Sequence, residues 1–142
     1  MPYRMRKIVK PFILIAIGGL IYTSIEMLYR GYSHWTMFLV GGLAFYMIGC
    51  INEYIQWGMP LYKQMAIGMS IITCLEFVTG FIVNIILKWN VWDYSNVPFN
   101  VLGQICLPFC AIWYFLSLVG IILDDYIRYW LFGEEKPTYK LK

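Results

Sequence analysis

Residues 64–87 read QMAIGMSIITCLEFVTGFIVNIIL and contain a single charged residue, Glu76. A helix needs about 20 mostly apolar residues to cross the hydrocarbon core of a bilayer. This stretch is long enough, and three others match it, at approximately 11–31, 36–56 and 100–123. The connections 32–35, 57–63 and 88–99 are short and carry breaker residues: Gly31, then Gly58 and Pro60, then Asn96 and Pro98. Trp35, Trp57, Trp89, Trp92 and Trp130 stand near segment ends, where amphipathic rings favour the headgroup layer. The pattern predicts an all-α fold, a four-helix transmembrane bundle forming one integral membrane domain over residues 1–142.

Composition agrees. Hydrophobic residues make up 61% of the chain and charged ones 13%, about half the charge of a soluble domain. One soluble core of this size could not hide so much apolar surface, so membrane lipids are the expected surroundings. The net charge of +3 is small, and the basic residues gather at segment ends without forming a stripe, which argues against nucleic acid. Their sides are unequal. With the N-terminus inside, Arg4, Arg6, Lys7, Lys10, Lys63, Arg128, Lys136, Lys140 and Lys142 lie inside, against Arg30 and Lys88 outside. The positive-inside rule therefore predicts both ends in the cytoplasm. The N-terminal run continues past a signal-peptide length to Glu26 with no small-x-small cleavage site, so it reads as a retained span. The tail from Asp124-Asp125, with Tyr126, Tyr129, Trp130 and Leu131, reads as a short interfacial helix.

Ile21-Tyr-Thr-Ser-Ile-Glu26 and Ile71-Ile-Thr-Cys-Leu-Glu76 match at an offset of 50. The second and fourth spans close similarly, in Asn52-Glu53-Tyr54-Ile55 and Asp124-Asp125-Tyr126-Ile127. This suggests two repeated hairpins, an arrangement in which transporters place their site at the repeat interface. Chance similarity of apolar stretches is the alternative.

Chemistry is scarce and therefore easy to locate. Glu76 sits mid-span, where a charge costs roughly 2.5–3.5 kcal/mol on insertion scales; it is expected to be protonated unless a cation or donor approaches. Glu76, Gly80 and Asn84 share one face that should turn toward the bundle. The plainer reading is a carboxyl bonded to a neighbouring helix. Glu26 has Tyr22 and Arg30 four residues to either side, so a local ion pair competes with a site role. Glu53 reads as interfacial. The loop with Trp92, Asp93, Tyr94, Ser95 and Asn100 is the densest polar and aromatic cluster; Asn100 is suited to cap the fourth helix, with Gln104 one turn in. Glu26, Glu76, Asp93, Asn100 and Gln104 are thus expected to line one outward-opening cavity, with Tyr22, Trp92 and Tyr94 around it. An ordered loop pinned by an aromatic belt is the plainer reading here.

Cofactor chemistry has few candidates. Cys50, Cys74, Cys106 and Cys110 lie in apolar segments without a Cys-x-x-Cys pair, and His34 is the only histidine, so a zinc site is poorly supplied. Cys106 and Cys110 are spaced to share a helix face. No Walker, His-Glu-x-x-His or Gly-x-Ser-x-Gly motif occurs. A non-enzymatic role without metal or cofactor is favoured.

Glu26 in its Ile-Tyr-Thr-Ser-Ile-Glu setting, Glu76, Trp92-Asp93-Tyr94-Ser95 and Pro98-Phe-Asn100-x-x-Gly103-x-Ile105-Cys106-Leu107 together resemble a small membrane family, the putative ABC-transporter type IV permeases found mainly in Firmicutes. The resemblance covers roughly residues 14–125. It implies a multi-pass protein of the bacterial inner membrane, a permease, and a separate ATPase subunit. That ATPase would have only 57–63, the termini and the helix ends to grip.

Three roles compete: a permease component, with homo-oligomerisation to enclose a path; a lipid or isoprenoid binder or enzyme at the outer leaflet; and an accessory subunit whose polar residues merely join helices. A polar chamber reaching Glu76 favours the first two, and a packed interior the third. The topology predicts that a Ser95→Cys variant is labelled by an impermeant thiol reagent from outside, and Thr138→Cys only from inside. Outside labelling of the tail would overturn the four-span reading.

Overall fold

The computed structural model describes residues 3–51 and 59–139. Its elements are α1 (Tyr3–Arg30), α2 (Trp35–Gly49), α3 (Leu61–Gly80), a π-helical turn (Phe81–Ile86) that continues α3, the strands β1 (Asn100–Val101) and β2 (Ile105–Cys106), and α4 (Leu107–Phe132). The all-α bundle is as expected. Arg4–Arg30, Leu61–Ile86 and Leu107–Phe132 are each long and apolar enough to cross a membrane. At 15 residues α2 reaches only about 22 Å. Its expected continuation to residue 56 falls outside the described residues, as do Glu53, Trp57 and Gly58.

Lipid tails are as apolar as leucine, so helices in a bilayer associate through close packing more than through the hydrophobic effect. The hairpin of α1 and α2 shows how. A Cβ on Gly42 would collide with the carbonyl oxygen of Ile15, and one on Gly41 with the Cβ of Tyr22. These two glycines let the backbones approach and seat Tyr22 against α2. The second pair, α3 on α4, meets α2 around Ala44, Ile48, Met65, Ile72, Trp113 and Ile121, all buried.

The chain ends meet at one end of the bundle. Lys10 pairs with Glu134 at 2.6 Å, and Arg6 Nη1 donates to the Phe132 carbonyl at 3.2 Å. Beneath them lies an ion pair that sequence reading missed: Arg128 Nε donates to Asp124 Oδ2 at 2.7 Å, and both residues are buried. Gly49 packs directly on the Asp124 carboxylate, which leaves no room for a side chain there. The Arg128 guanidinium lies 5.6 Å from the Tyr46 ring centre. Tyr139 Oη donates to Asp125 Oδ2 at 2.9 Å. Burial first, and then the negative Asp125, push that hydroxyl above the ordinary phenol range, so it remains a donor.

Two expectations are corrected. Residues 124–132 are not a separate interfacial helix but the last turns of α4, which ends where Gly133 adopts φ +66°. The aspartates face the bundle because Arg128, one turn on, neutralises Asp124. The fourth span begins at Leu107 instead of Asn100. Asn100 and Val101 pair with Cys106 and Ile105 in a small antiparallel hairpin, and Pro108 suits the first helical turn. Cys106 therefore precedes the helix and shares no helix face with Cys110.

A Gly42→Ala change should cost about 1–3 kcal/mol through overpacking, read as a lower melting midpoint of the detergent-solubilised protein. Leu43→Ala, on the exposed side of the same turn, should leave the midpoint nearly unchanged.

Candidate functional site

A polar latch builds the site at the Arg30 end of the bundle. In the π-helical turn the Leu87 amide reaches back to the Ile82 carbonyl at 2.9 Å, and such turns often mark functional positions. Here the turn carries Asn84. Its Oδ1 accepts from the Val91 amide at 2.7 Å and the Trp92 amide at 3.4 Å, and its Nδ2 donates to Gln104 Oε1 at 2.8 Å. Trp92 Nε1 donates to the Gln104 carbonyl at 3.0 Å. Gly80 makes the fit possible, since a Cβ there would meet Gln104 Oε1 at 2.5 Å and Trp92 Cζ2 at 2.8 Å. Trp92, expected near the headgroup layer and around the cavity, is buried beside the helices.

Behind the latch lie two adjoining cavities, both lined by Tyr22, Ile25, Trp113 and Leu116. The outer, of about 250 Å³, also has Glu26, Arg30, Trp92, Tyr94 and Phe109 in its wall. The inner, of about 90 Å³, is lined by Glu76 and otherwise by apolar and aromatic residues, reaching Ile48 and Leu123. Glu76 is 2% exposed. Tyr94 and Trp113 lie within hydrogen-bonding reach of its carboxyl, yet its Oε1 is buried without a hydrogen-bond partner. The rings are mutually braced: Tyr94 stacks on Phe109 with centroids 4.8 Å apart, Phe109 lies 5.9 Å from Trp113, and Trp113 lies 6.2 Å from Tyr22.

Of the remaining expected site residues, Glu26 stays in the outer wall and the other three fall elsewhere. Glu26 is held by Arg30, with Oε2 2.7 Å from Nε and 2.6 Å from Nη2, as its spacing suggested. Asp93 is exposed and shapes the loop, accepting from the Ser95 amide at 2.9 Å and from the Ser95 hydroxyl. Those bonds hold its carboxyl below the usual carboxylate range. Asn100 caps no helix; its Nδ2 donates to the Ser95 and Val97 carbonyls, and its Oδ1 accepts from the Gly103 amide at 3.1 Å. Gln104 is buried in the latch. Asp93, Asn100 and Gln104 line neither cavity, so five expected polar residues form a scaffold and a chamber in place of one polar wall. Phe109, Trp113 and Leu116 were missed. Their spacing of four and three on α4 is the signal of one helix face. Among the described residues no group of three metal-ligating side chains occurs.

The family model described as Putative ABC-transporter type IV matches residues 8–134. The chain belongs to this family. No curated protein and no solved structure matches it. Family membership and the three long apolar helices together make it a multi-pass membrane protein of ABC-transporter type. The match includes the latch and both cavities.

Replacing Asn84 by Leu removes three bonds at once and strands the Gln104 amide and two backbone amides. Unmet buried polar groups cost about 1–3 kcal/mol each. Hydrogen exchange at the Val91 and Trp92 amides should accelerate roughly tenfold or more in Asn84→Leu, while the α1–α2 hairpin keeps its protection.

Proposed function

We propose that the chain is the membrane-embedded permease component of a transporter, and that the paired cavities are its substrate path. The supporting observation is Glu76: a carboxyl at bilayer depth, buried, with an unpartnered oxygen lining a chamber. A polar atom in lipid that lacks a protein partner must find water or a ligand. Other buried side-chain atoms among the described residues also lack a partner, Gln64 Oε1 for one, but the Glu76 oxygen is the one whose residue lines the paired cavities. Tyr22, Glu26, Glu76, Trp92 and Tyr94 form the substrate-facing set. Asp93, Asn100 and Gln104 serve it by fixing the loop that carries two of them.

The cavities run along α4 from Phe109 to Leu123, about 20 Å at the helical rise and two thirds of the hydrocarbon core. With the positive-inside orientation in a bacterial inner membrane, the outer cavity faces the exterior. The clasp of Lys10, Glu134, Asp124 and Arg128 then closes the cytoplasmic end. A homo-oligomer is supported by the exposed face of α3, where Ala66, Ser70 and Cys74 recur at a spacing of four beside a groove lined by Met47 and Leu75. Small residues at that spacing let helices approach closely. An ATPase subunit would dock at the cytoplasmic end.

A permease exposes its site to each side in turn. With the four native cysteines replaced, Leu116→Cys should react with an impermeant thiol reagent both in right-side-out vesicles and in inverted ones. Labelling from outside alone would point to a binding protein. Labelling from neither side would leave the accessory-subunit reading.

A further inference from the structure

We infer that the paired cavities select a small organic cation, an alkylammonium whose charged head rests against Glu76 beside the rings of Tyr22 and Trp113. The inference builds on the permease reading and adds the chemical class of the ligand.

Charge accounting comes first. The charged side chains facing the cavities are Glu26, Arg30 and Glu76. Arg30 is paired: two of its nitrogens contact Glu26 Oε2, and its guanidinium lies 4.7 Å from the Tyr32 ring centre. That pair is neutral at the mouth, so an anion finds no free cation to hold it. Glu76 is left as the one group without a counter-charge, and no lysine or arginine lines the inner chamber around it.

The rest of the lining decides what kind of cation. A metal ion demands several oxygen donors, and here one carboxyl stands among rings. An ammonium with alkyl substituents needs few hydrogen bonds and is attracted to ring faces within about 6 Å, at roughly 0.5–2 kcal/mol per ring. Tyr22, Phe45 and Trp113 line the inner cavity with Glu76, and Trp92, Tyr94 and Phe109 join Tyr22 and Trp113 in the outer wall. Aliphatic side chains, Ile25 and Leu116 among them, complete the wall and suit the alkyl groups. The chambers, at about 90 and 250 Å³, fall below the roughly 300–1,000 Å³ of drug-sized sites, which limits the ligand to a compact molecule.

The test is equilibrium binding of radiolabelled choline to the full-length protein in lipid nanodiscs. Tetramethylammonium and 3,3-dimethyl-1-butanol, the uncharged isostere of choline, serve as competitors. Choline should bind saturably at one site per chain and be displaced by tetramethylammonium, with the isostere at least tenfold weaker. Glu76→Gln should weaken choline binding tenfold or more while binding of the isostere changes little. Tyr94→Leu, at a half-buried loop position, should weaken choline binding severalfold. It provides the readout if the Glu76 variant fails to fold. An isostere that competes as well as tetramethylammonium, no saturable choline binding, or variants that bind choline like the parent protein would each overturn the cation inference. Any of these together with two-sided labelling of Leu116→Cys sinks the ligand class and leaves the permease reading standing. Loss of the labelling sinks the permease reading itself.

Discussion

Lipid supplies no hydrogen-bond partners, and most of this structure can be traced to that fact. Each polar side chain carried into the hydrocarbon must be satisfied by another part of the same chain, or by something it binds. The protein does so at three levels. Asp124 and Arg128 answer each other at the end where the termini meet. Glu26 and Arg30 do the same at the opposite end of α1. Asn84 and Gln104 join the third span to the hairpin ahead of the fourth. The side chains that close these circuits also fix the positions of the helices, so satisfying polar atoms and specifying the fold are here one operation.

Close packing supplies what the hydrophobic effect cannot. Gly41 and Gly42 bring α2 onto α1, and the same approach decides where Tyr22 stands. Tyr22 then lines both cavities, with its ring 6.2 Å from that of Trp113. Gly80 plays the corresponding part on α3 by admitting Gln104 and Trp92. The chamber is thus shaped by close-packed glycines, with Gly41 itself in its wall. Its rigidity rests on stacked rings, and its one uncompensated polar atom is on Glu76.

The spans were legible because hydropathy over about 20 residues is a strong signal, and it found α1, α3 and most of α4. It misjudged residues 100–106 for a physical reason. Asn100-Val-Leu-Gly-Gln-Ile-Cys is apolar enough to pass as helix. Yet Asn100 makes three bonds in a turn that a helix would forbid, and Gly103 takes φ +73°. The inward face of Glu76, Gly80 and Asn84 was legible from spacing alone. Asp93 was not, because a loop carboxylate folded onto its own Ser95 reads the same in sequence as one facing a ligand. The Asp124–Arg128 pair had the spacing of a helical ion pair, but its position near a chain end disguised a buried group as a headgroup contact.

The two glutamates that resemble each other in sequence part company one turn later. Ile-Tyr-Thr-Ser-Ile-Glu26 is followed at the fourth position by Arg30, and Ile-Ile-Thr-Cys-Leu-Glu76 by Gly80. In the first case the next turn carries a cation to the carboxylate and neutralises it. In the second, that turn carries no side chain at all, and the space is taken by Gln104 and Trp92. Those two residues direct donors elsewhere: Trp92 Nε1 to the Gln104 carbonyl, and Gln104 Nε2 to the Leu102 carbonyl. One residue of difference between two similar helices therefore separates a closed ion pair from an open site. On the proposed reading, Glu26 with Arg30 makes a neutral doorway, and Glu76 is the charge that a ligand must complete.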